Sequence, residues 1–458
     1  MRHHLYCRIT LFLIFTFTSC CGVDVMASER THEYMLDNGL KLVVQEDHRA
    51  PVAVVQVWYR VGSAYEYDGI TGVSHALEHM MFKGTRDLAP GEFSAIVAAR
   101  GGRENAFTSS DYTAYFQQWA ASNIELSFKL EADRMQNLVI KDEEFAKEIN
   151  VVLEERRLRT DDNPQALAIE AARASAYQTS PYRYPVIGWE ADIKGMTGQD
   201  LRDWYQRWYG PDNAIVVVVG DVKPDEVHEL AKTYFGPLPG RNIAPPKNRP
   251  EVPQAGPKRM SFSSSKARIP YLVIGFKTPT LPQLEDGQVE EWELYALDVL
   301  SETLAGDKSA RLQRNLMRGR EIASSVGAGY SSASLLTTLF YFHGVPREGN
   351  SLDTLEQAIL DEVQNLKATP PTEAELNRIK TQVIADSVYE FDSMQHQAII
   401  IGSLEAIGLD WRLRDTYVDK ISAVTAEQVQ AVAKKYLVAE RMTVTHLLPR
   451  QEAAGGGQ

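Results

Sequence analysis

Cysteine, excess positive charge and long hydrophobic segments are all scarce in this chain of 458 residues. Its three cysteines are confined to the first 21 positions, at Cys7, Cys20 and Cys21. Beyond them the chain has no thiol that could form a disulfide or bind a metal. The formal net charge is −13 at pH 7, and no basic stripe is present to neutralise phosphates. The sequence therefore excludes a disulfide framework and argues against nucleic acid as a partner.

An uncharged run of apolar and small residues lies close to the N-terminus, over residues 9–21. Arg2 and Arg8 precede it and supply positive charge. In the segment Val25-Met26-Ala27, Val25 and Ala27 are small residues at the third and first positions before a cut after Ala27, as is typical of signal-peptide cleavage sites. We therefore predict a signal peptide over residues 1–27 and export to a bacterial periplasm. The run is too short to favour a stable membrane span. Lipid attachment at Cys20 or Cys21 fits the preceding residues less well, and the continuous apolar run disfavours a mitochondrial transit peptide.

The length of the chain suits two domains of about 200 residues each. Its composition, 44% hydrophobic and 24% charged, is that of an ordinary soluble globular protein. Seven prolines fall between residues 237 and 257, which predicts an extended linker there. We predict one domain at 28–236, the linker at 237–257, a second domain at 258–450 and a disordered tail at 451–458.

The motif with the most specific chemistry is His75-x-x-Glu78-His79. Flanking glycines predict a short helix from about Val73 to Phe82, on which these three side chains share one face. Two imidazoles and a carboxylate on one face suit a catalytic zinc ion, which needs nitrogen ligands and a base beside its water. The order of residues is the inverted form of the commoner zinc-protease motif. The alternative is a pair of structural histidines on a half-buried helix, with Glu78 facing solvent.

A second helix is predicted around residues 141–157, because apolar residues recur there at helical spacing. Glu148 and Glu155 are seven residues apart and therefore lie on the same face of this helix. A catalytic zinc site needs a third protein ligand, and this face offers one. Spacing alone leaves either Glu155 or the adjacent Glu154 as that ligand. A solvated charged face with no ligand at all is the alternative.

Together the two segments resemble the pitrilysin family of metallopeptidases, which includes insulin-degrading enzyme and the mitochondrial processing peptidase. Carried over by position, the resemblance implies one Zn²⁺ per chain bound by His75, His79 and Glu155. It implies that Glu78 is the general base. It also implies that the Glu148 carboxylate contacts the metal-binding side chains without binding the ion itself. The implied activity is hydrolysis of short or unfolded peptides by a zinc metalloendopeptidase.

The segment Gly101–Thr108 matches another part of the resembled family, an edge strand beside the metal that pairs with the substrate main chain. Asn105 and Ala106 fall on the matching positions, so the resemblance implies that they bind substrate. An exposed strand edge can bind an extended peptide by strand addition, with little demand on its side chains. A plain glycine turn leading into a hairpin is the alternative.

The second half of the chain repeats the first in weaker form, without the His-x-x-Glu-His motif. A helix predicted at 376–386 corresponds to the one at 141–157, with Ile379 in place of Glu148 and Asp386 in place of Glu155. We therefore predict an α+β fold of two homologous domains. The resemblance implies that each is a mainly antiparallel sheet packed with helices and that the two form half of a clamshell.

One departure from the resembled family concerns an Arg and a Tyr that bind substrate from the half without the metal. Their positions fall here on Met317 and Ser324, which cannot do the same chemistry. The resemblance then implies that this chain is the zinc subunit of a heterodimer whose homologous partner supplies the Arg and Tyr, with a homodimer as the alternative. Two other interpretations remain open, a non-catalytic core or assembly subunit and a peptide-binding module of the same fold.

Overall fold

The computed structural model describes residues 30–244 and 249–450. The predicted signal peptide and the predicted tail lie outside these described residues. The strands of the first half are β1 (Thr31–Met35), β2 (Lys41–Glu46), β3 (Val52–Tyr59), β4 (Arg103–Thr108), β5 (Thr113–Ala120) and β6 (Ala214–Gly220). Its helices are α1 (Val73–Met80), α2 (Glu92–Ala99), α3 (Ile124–Asn137), α4 (Asp142–Arg156), α5 (Pro164–Ala176), α6 (Glu190–Gly195), α7 (Gly198–Trp208) and α8 (Pro224–Tyr234).

The second half is built in a similar way. Its strands are β7 (Lys258–Ser264), β8 (Tyr271–Thr278), β9 (Ala323–Gly329), β10 (Thr338–Pro346) and β11 (Met442–Pro449). Its helices are α9 (Glu291–Ala305), α10 (Leu352–Ala368), α11 (Glu373–Glu390), α12 (Met394–Ala406), α13 (Leu413–Ala423) and α14 (Ala426–Tyr436). Within the described part of the chain, none of these helices combines the length and the apolar character that crossing a bilayer requires.

Each half forms one mixed sheet, and the two sheets have the same strand order. The first runs β1-β2-β6-β3-β5-β4 and the second β7-β11-β8-β10-β9. In each sheet a single pair of strands is parallel, β2 with β6 and β7 with β11, while the other pairs are antiparallel. Apart from β1, the two sheets therefore share one topology. The predicted α+β fold with two similar units is confirmed.

The repeat extends to the start of equivalent helices. Thr197 accepts a hydrogen bond from the backbone of Asp200 at the start of α7, and the Asp200 side chain accepts one in return. Thr425 and Gln428 form the same reciprocal capping box at the start of α14, 228 positions later. Each box satisfies two backbone N–H groups that a helix start would leave without partners.

The two units exchange one helix each, and this exchange fixes their relative position. Helix α5 of the first unit packs against the second sheet, where Ala168 and Ala172 contact β8 and β11. Helix α12 of the second unit packs against β3 and β6 of the first sheet. Gly402 of α12 allows the close approach, because a Cβ there would lie 2.1 Å from the ring of Trp58. The two units are therefore joined by helix-on-sheet contacts in both directions.

The proline-rich segment predicted as a linker runs between α8 and β7, and its described residues form neither helix nor strand. Glu251 in this segment accepts hydrogen bonds from the backbone N–H groups of Gln178, Thr179 and Ser180. It also pairs with Lys277 of β8 at 2.5 Å. The segment is therefore bonded to both units, and the domain boundary within it stays a prediction.

Candidate metal centre

Three of the predicted ligand side chains converge from two helices. His75 and His79 come from α1, which begins at the predicted residue and ends two residues earlier than expected. Glu155 comes from the last turn of α4. Its Oε2 lies 3.7 Å from Nε2 of His75 and 3.3 Å from Nε2 of His79. A tetrahedral zinc ion with bonds of about 2.0–2.1 Å holds its ligand atoms about 3.3 Å apart, so this donor set fits such an ion.

The choice between the two adjacent glutamates is clear in the geometry. Glu155 is 15% exposed, and its second oxygen pairs with Arg159 at 2.5 Å. Glu154 is 63% exposed and pairs instead with Arg157 at 2.6 Å on the surface. A π-helical turn, Arg157–Asp161, follows α4 directly and carries both arginines. Of the two glutamates, Glu155 is therefore the one whose carboxylate can share an ion with the imidazoles.

Glu148 lies where the resemblance implied, against the outer nitrogen of a histidine. Its Oε2 is 3.2 Å from Nδ1 of His79, and its Oε1 is 2.5 Å from Nζ of Lys83. A carboxylate in this place keeps the proton on Nδ1 and leaves Nε2 free to bind a metal. Burial, together with the nearby His79, lowers the pKa of His75 to about 3, which keeps that imidazole neutral as a metal ligand requires.

The proposed base, Glu78, lies on the same face of α1 and contacts the edge strand. Its Oε2 accepts a hydrogen bond of 2.5 Å from the Thr108 hydroxyl at the end of β4. Burial raises the pKa of Glu78 above its usual value. The carboxyl is therefore held in one orientation and has an increased affinity for a proton.

The start of α1 is fixed by contacts that no sequence motif reveals. The buried Glu66 accepts hydrogen bonds from the backbone N–H groups of Gly72 and Ser74, at 2.7 and 2.9 Å. A carboxylate suits this place because the N-terminus of a helix is partially positive, although burial raises the pKa of Glu66 to about 7. Gly72 has φ +88°, and a Cβ there would lie 2.5 Å from the carbonyl oxygen of Ile187. Only glycine allows the two backbones to approach so closely.

Arg156 fixes the other ligand helix at its C-terminal end. Its guanidinium makes two hydrogen bonds of 2.9 Å to the carboxylate of Glu170 on α5 and one of 2.7 Å to the carbonyl of Gly188. These bonds join α4, α5 and the loop that packs against the start of α1. Arg156, which directly follows Glu155 in the chain, therefore connects the ligand helices α1 and α4.

A cavity of about 750 Å³ is lined by all the predicted site residues except Glu148. Strand β4 forms one wall, and it is the edge strand of its sheet. Asn105 and Ala106 lie on this strand, so a peptide could reach the strand edge and the ligand cluster from the same space. Among the residues that line the cavity are His75, Glu78, His79, Asn105, Ala106, Thr108, Glu155, Arg159, Ile169, Glu170 and Arg173.

The positions expected to carry the missing Arg and Tyr lie away from this cavity. Met317 packs against the core of the second unit. The hydroxyl of Ser324 donates to the carbonyl oxygens of Val345 and Pro346. Neither residue is among those that line the cavity. Nothing at these two positions can therefore bind a substrate carbonyl at the ligand cluster.

The second unit has acidic residues in the place that corresponds to the metal ligands. Asp298 and Glu302 lie four residues apart on α9, as the two histidines do on α1, and Asp386 lies opposite them on α11. They line a cavity of about 280 Å³. Removal from solvent raises the pKa of Asp298 to about 8; the neighbouring Glu302 acts in the same direction, and a hydrogen bond from Ser332 acts against it. Burial, assisted by repulsion from Glu302, therefore makes the folded state retain a proton on Asp298.

We expect Asp298→Asn to stabilise the protein at pH 8 more than at pH 5. The unfolded carboxyl has a pKa near 3.9 and the folded one about 8, so stability falls as pH rises between these values. Removing the charge should raise the free energy of unfolding at pH 8 by about 1–3 kcal/mol. Urea unfolding at both pH values measures this effect. Asp419→Asn, at an exposed position on α13, is the control; equal responses of the two variants would contradict the prediction.

Comparison with known proteins assigns this fold to a family. Residues 41–189 match the family model described as Insulinase (Peptidase family M16), and residues 195–383 match that described as Peptidase M16 inactive domain. The zinc protease PqqE of Helicobacter pylori is 33% identical over 361 residues, which cover 78% of this chain and 79% of that protein. The chain therefore belongs to peptidase family M16, and the predicted family is confirmed.

Solved structures agree with this assignment. The crystal structure of a protease from Helicobacter pylori superimposes with a TM-score of 0.86 at 31% identity, covering 92% of this chain and 99% of that one. The periplasmic protease PqqL from Escherichia coli has the same fold, with a TM-score of 0.75 at 18% identity. This chain spans 48% of PqqL. The chain thus has a half-size M16 fold.

Proposed function

We propose that this chain is a zinc-dependent metalloendopeptidase that cleaves short or unfolded peptides. The observation that carries the proposal is the convergence of His75, His79 and Glu155 beside Glu78 in one cavity with an edge strand. The relatives named as zinc proteases support the metal and the class of reaction. When zinc is bound, it acts as a Lewis acid and lowers the pKa of water at the site to about 7.

Each residue of the cavity then has a role that follows from its contacts. Glu78 takes a proton from the attacking water and delivers it to the leaving amine, and the Thr108 hydroxyl holds its carboxylate in place. Glu148 fixes the orientation of the His79 ring. The edge of β4, at Asn105 and Ala106, binds the peptide main chain by strand addition, which accounts for a preference for extended and unfolded substrates.

We further propose that the chain acts as the zinc subunit of a two-chain enzyme. Met317 and Ser324 offer no cation and no phenol at the positions where the resembled family has Arg and Tyr. A homologous partner with those residues would complete the site, and together the two chains would form the clamshell. The pattern of residues 1–27 supports action in the periplasm, which cell fractionation of a tagged chain would test.

We expect little peptide cleavage by the purified chain alone and robust cleavage after addition of a homologous M16 chain that has the Arg and Tyr but no zinc motif. Fluorogenic peptides and an unfolded protein are suitable substrates, assayed with and without chelator. Sizing of the mixture would detect the complex. Robust cleavage without the partner would overturn the two-chain proposal. Absence of cleavage under every condition would favour the assembly or peptide-binding interpretation.

A further inference from the structure

One face of helix α5 also lines the cavity. Ala166, Ile169, Glu170 and Arg173 line the cavity at helical spacing, while the opposite face of the helix packs against the second sheet. Ile169 is 44% exposed. A peptide bound along β4 would therefore share the cavity with an apolar side chain and two charged ones.

Of the charged groups on this side of the cavity, only Arg173 is without an ion-pair partner among the described residues. Glu170 is engaged by Arg156, and Arg159 is engaged by Glu155. The Arg173 guanidinium donates one hydrogen bond, of 3.3 Å, to the hydroxyl of Ser110. A guanidinium has five N–H donors, so most of its binding capacity is unused.

Arg173 also borders a second cavity, of about 550 Å³, that lies between the two units. This cavity adjoins the first through Ile169 and Arg173. Asp111 also lines this cavity; its carboxylate accepts hydrogen bonds from Tyr182 and from the backbone of Leu335, and it interacts with Arg173 through space without forming an ion pair. The remaining lining is rich in hydroxyl donors, from Ser109, Ser110, Ser331, Ser334 and Thr338.

We propose that Arg173 determines substrate specificity by binding a carboxylate of the peptide, from an Asp or Glu side chain or from the chain terminus. This inference rests on the proposed peptidase function, which it deepens by naming a substrate class. Arginine and carboxylate form paired, charge-assisted hydrogen bonds, and the surrounding hydroxyls add further donors.

The overall charge of −13 favours the opposite preference, because it attracts basic peptides at long range. Such attraction acts beyond the contact distance and is screened within about 10 Å at 0.1 M salt. A contact inside a cavity is screened much less. Acidic peptides should therefore bind more tightly than matched neutral ones, and this difference in affinity should persist when salt is added.

The test measures binding and cleavage of matched peptides that differ only in Glu or Gln at one position, each with a free or an amidated C-terminus. Binding is measured by fluorescence anisotropy in the Glu78→Gln background, so that no peptide is cut. We expect the Glu peptide to bind about tenfold more tightly than the Gln peptide. Arg173→Gln should remove this difference, and Arg173→Glu should invert it in favour of a Lys peptide. Arg207→Gln, an exposed arginine on α7, is the matched control and should preserve it.

The outcomes separate this inference from the function on which it rests. Equal binding of the Glu and Gln peptides, with a preference only for the free C-terminus, would identify the chain terminus as the bound carboxylate. Equal binding of all four peptides, or a preference that survives Arg173→Gln, would overturn the inference even if the protein cleaves peptides. Failure of the otherwise wild-type protein to cleave any peptide, even with the homologous partner chain present, would instead count against the proposed function, while the anisotropy data would still test Arg173.

Discussion

Glu78→Gln is expected to abolish peptide cleavage while leaving the metal site intact. The substitution keeps the size of the side chain and its contact with Thr108, but an amide cannot take a proton from water. General base catalysis contributes about 10²–10⁴-fold, and loss of the proton relay to the leaving amine acts on the same step. We therefore expect kcat to fall by at least about 10³-fold, with KM changed little.

Two measurements on the same preparation check this expectation. Elemental analysis should give one zinc per chain in both the variant and the wild type, and thermal unfolding should give similar transition temperatures. Cleavage is measured in the active form of the enzyme, with its partner if one is required. If the variant kept more than about a tenth of the wild-type rate, Glu78 could not be the base. Loss of zinc from this variant would instead indicate a structural role.

Glu155→Gln is expected to remove zinc, whereas the same substitution at Glu154 should have no effect. The Glu155 carboxylate lies 3.3 and 3.7 Å from the two imidazole nitrogens, but Glu154 faces solvent beside Arg157. Replacing an anionic ligand with a neutral amide weakens a site built from three protein ligands. We expect the zinc affinity to fall by at least about 100-fold, more than the 10- to 100-fold typical for loss of an outer carboxylate.

The adjacent pair of glutamates provides the control, since both variants change one charge on one helix. Zinc affinity is measured by competition with a chromogenic chelator at fixed pH. Glu148→Gln should give an intermediate loss, because its carboxylate contacts His79 rather than the ion. A larger loss for Glu154→Gln than for Glu155→Gln would move the third ligand by one residue and invalidate the geometry described above.

The contribution of the sequence is greatest where contacts are local. His75, Glu78 and His79 lie within two helical turns, so the helix period alone places them on one face. Glu148 and Glu155 are seven residues apart, so the helix period places them on one face as well. No periodicity, however, distinguishes Glu155 from Glu154 as the ligand. That distinction depends on how α4 is rotated against α1, and the packing of both helices determines the rotation.

The sequence by itself thus determined the two-unit α+β organisation, the two histidine ligands and the pair of adjacent glutamates that includes the third, because periodicity and composition are encoded within short segments. Only the tertiary structure decided which supporting groups reach them. Lys83, Thr108 and Arg173 had no predicted role, and their positions depend on the packing of β4, α4 and α5. The exchange of α5 and α12 between the units was equally unpredictable, since both helices pack against strands far away in the sequence. Such long-range contacts arise when buried faces of separate elements match in shape, and no local pattern records that match.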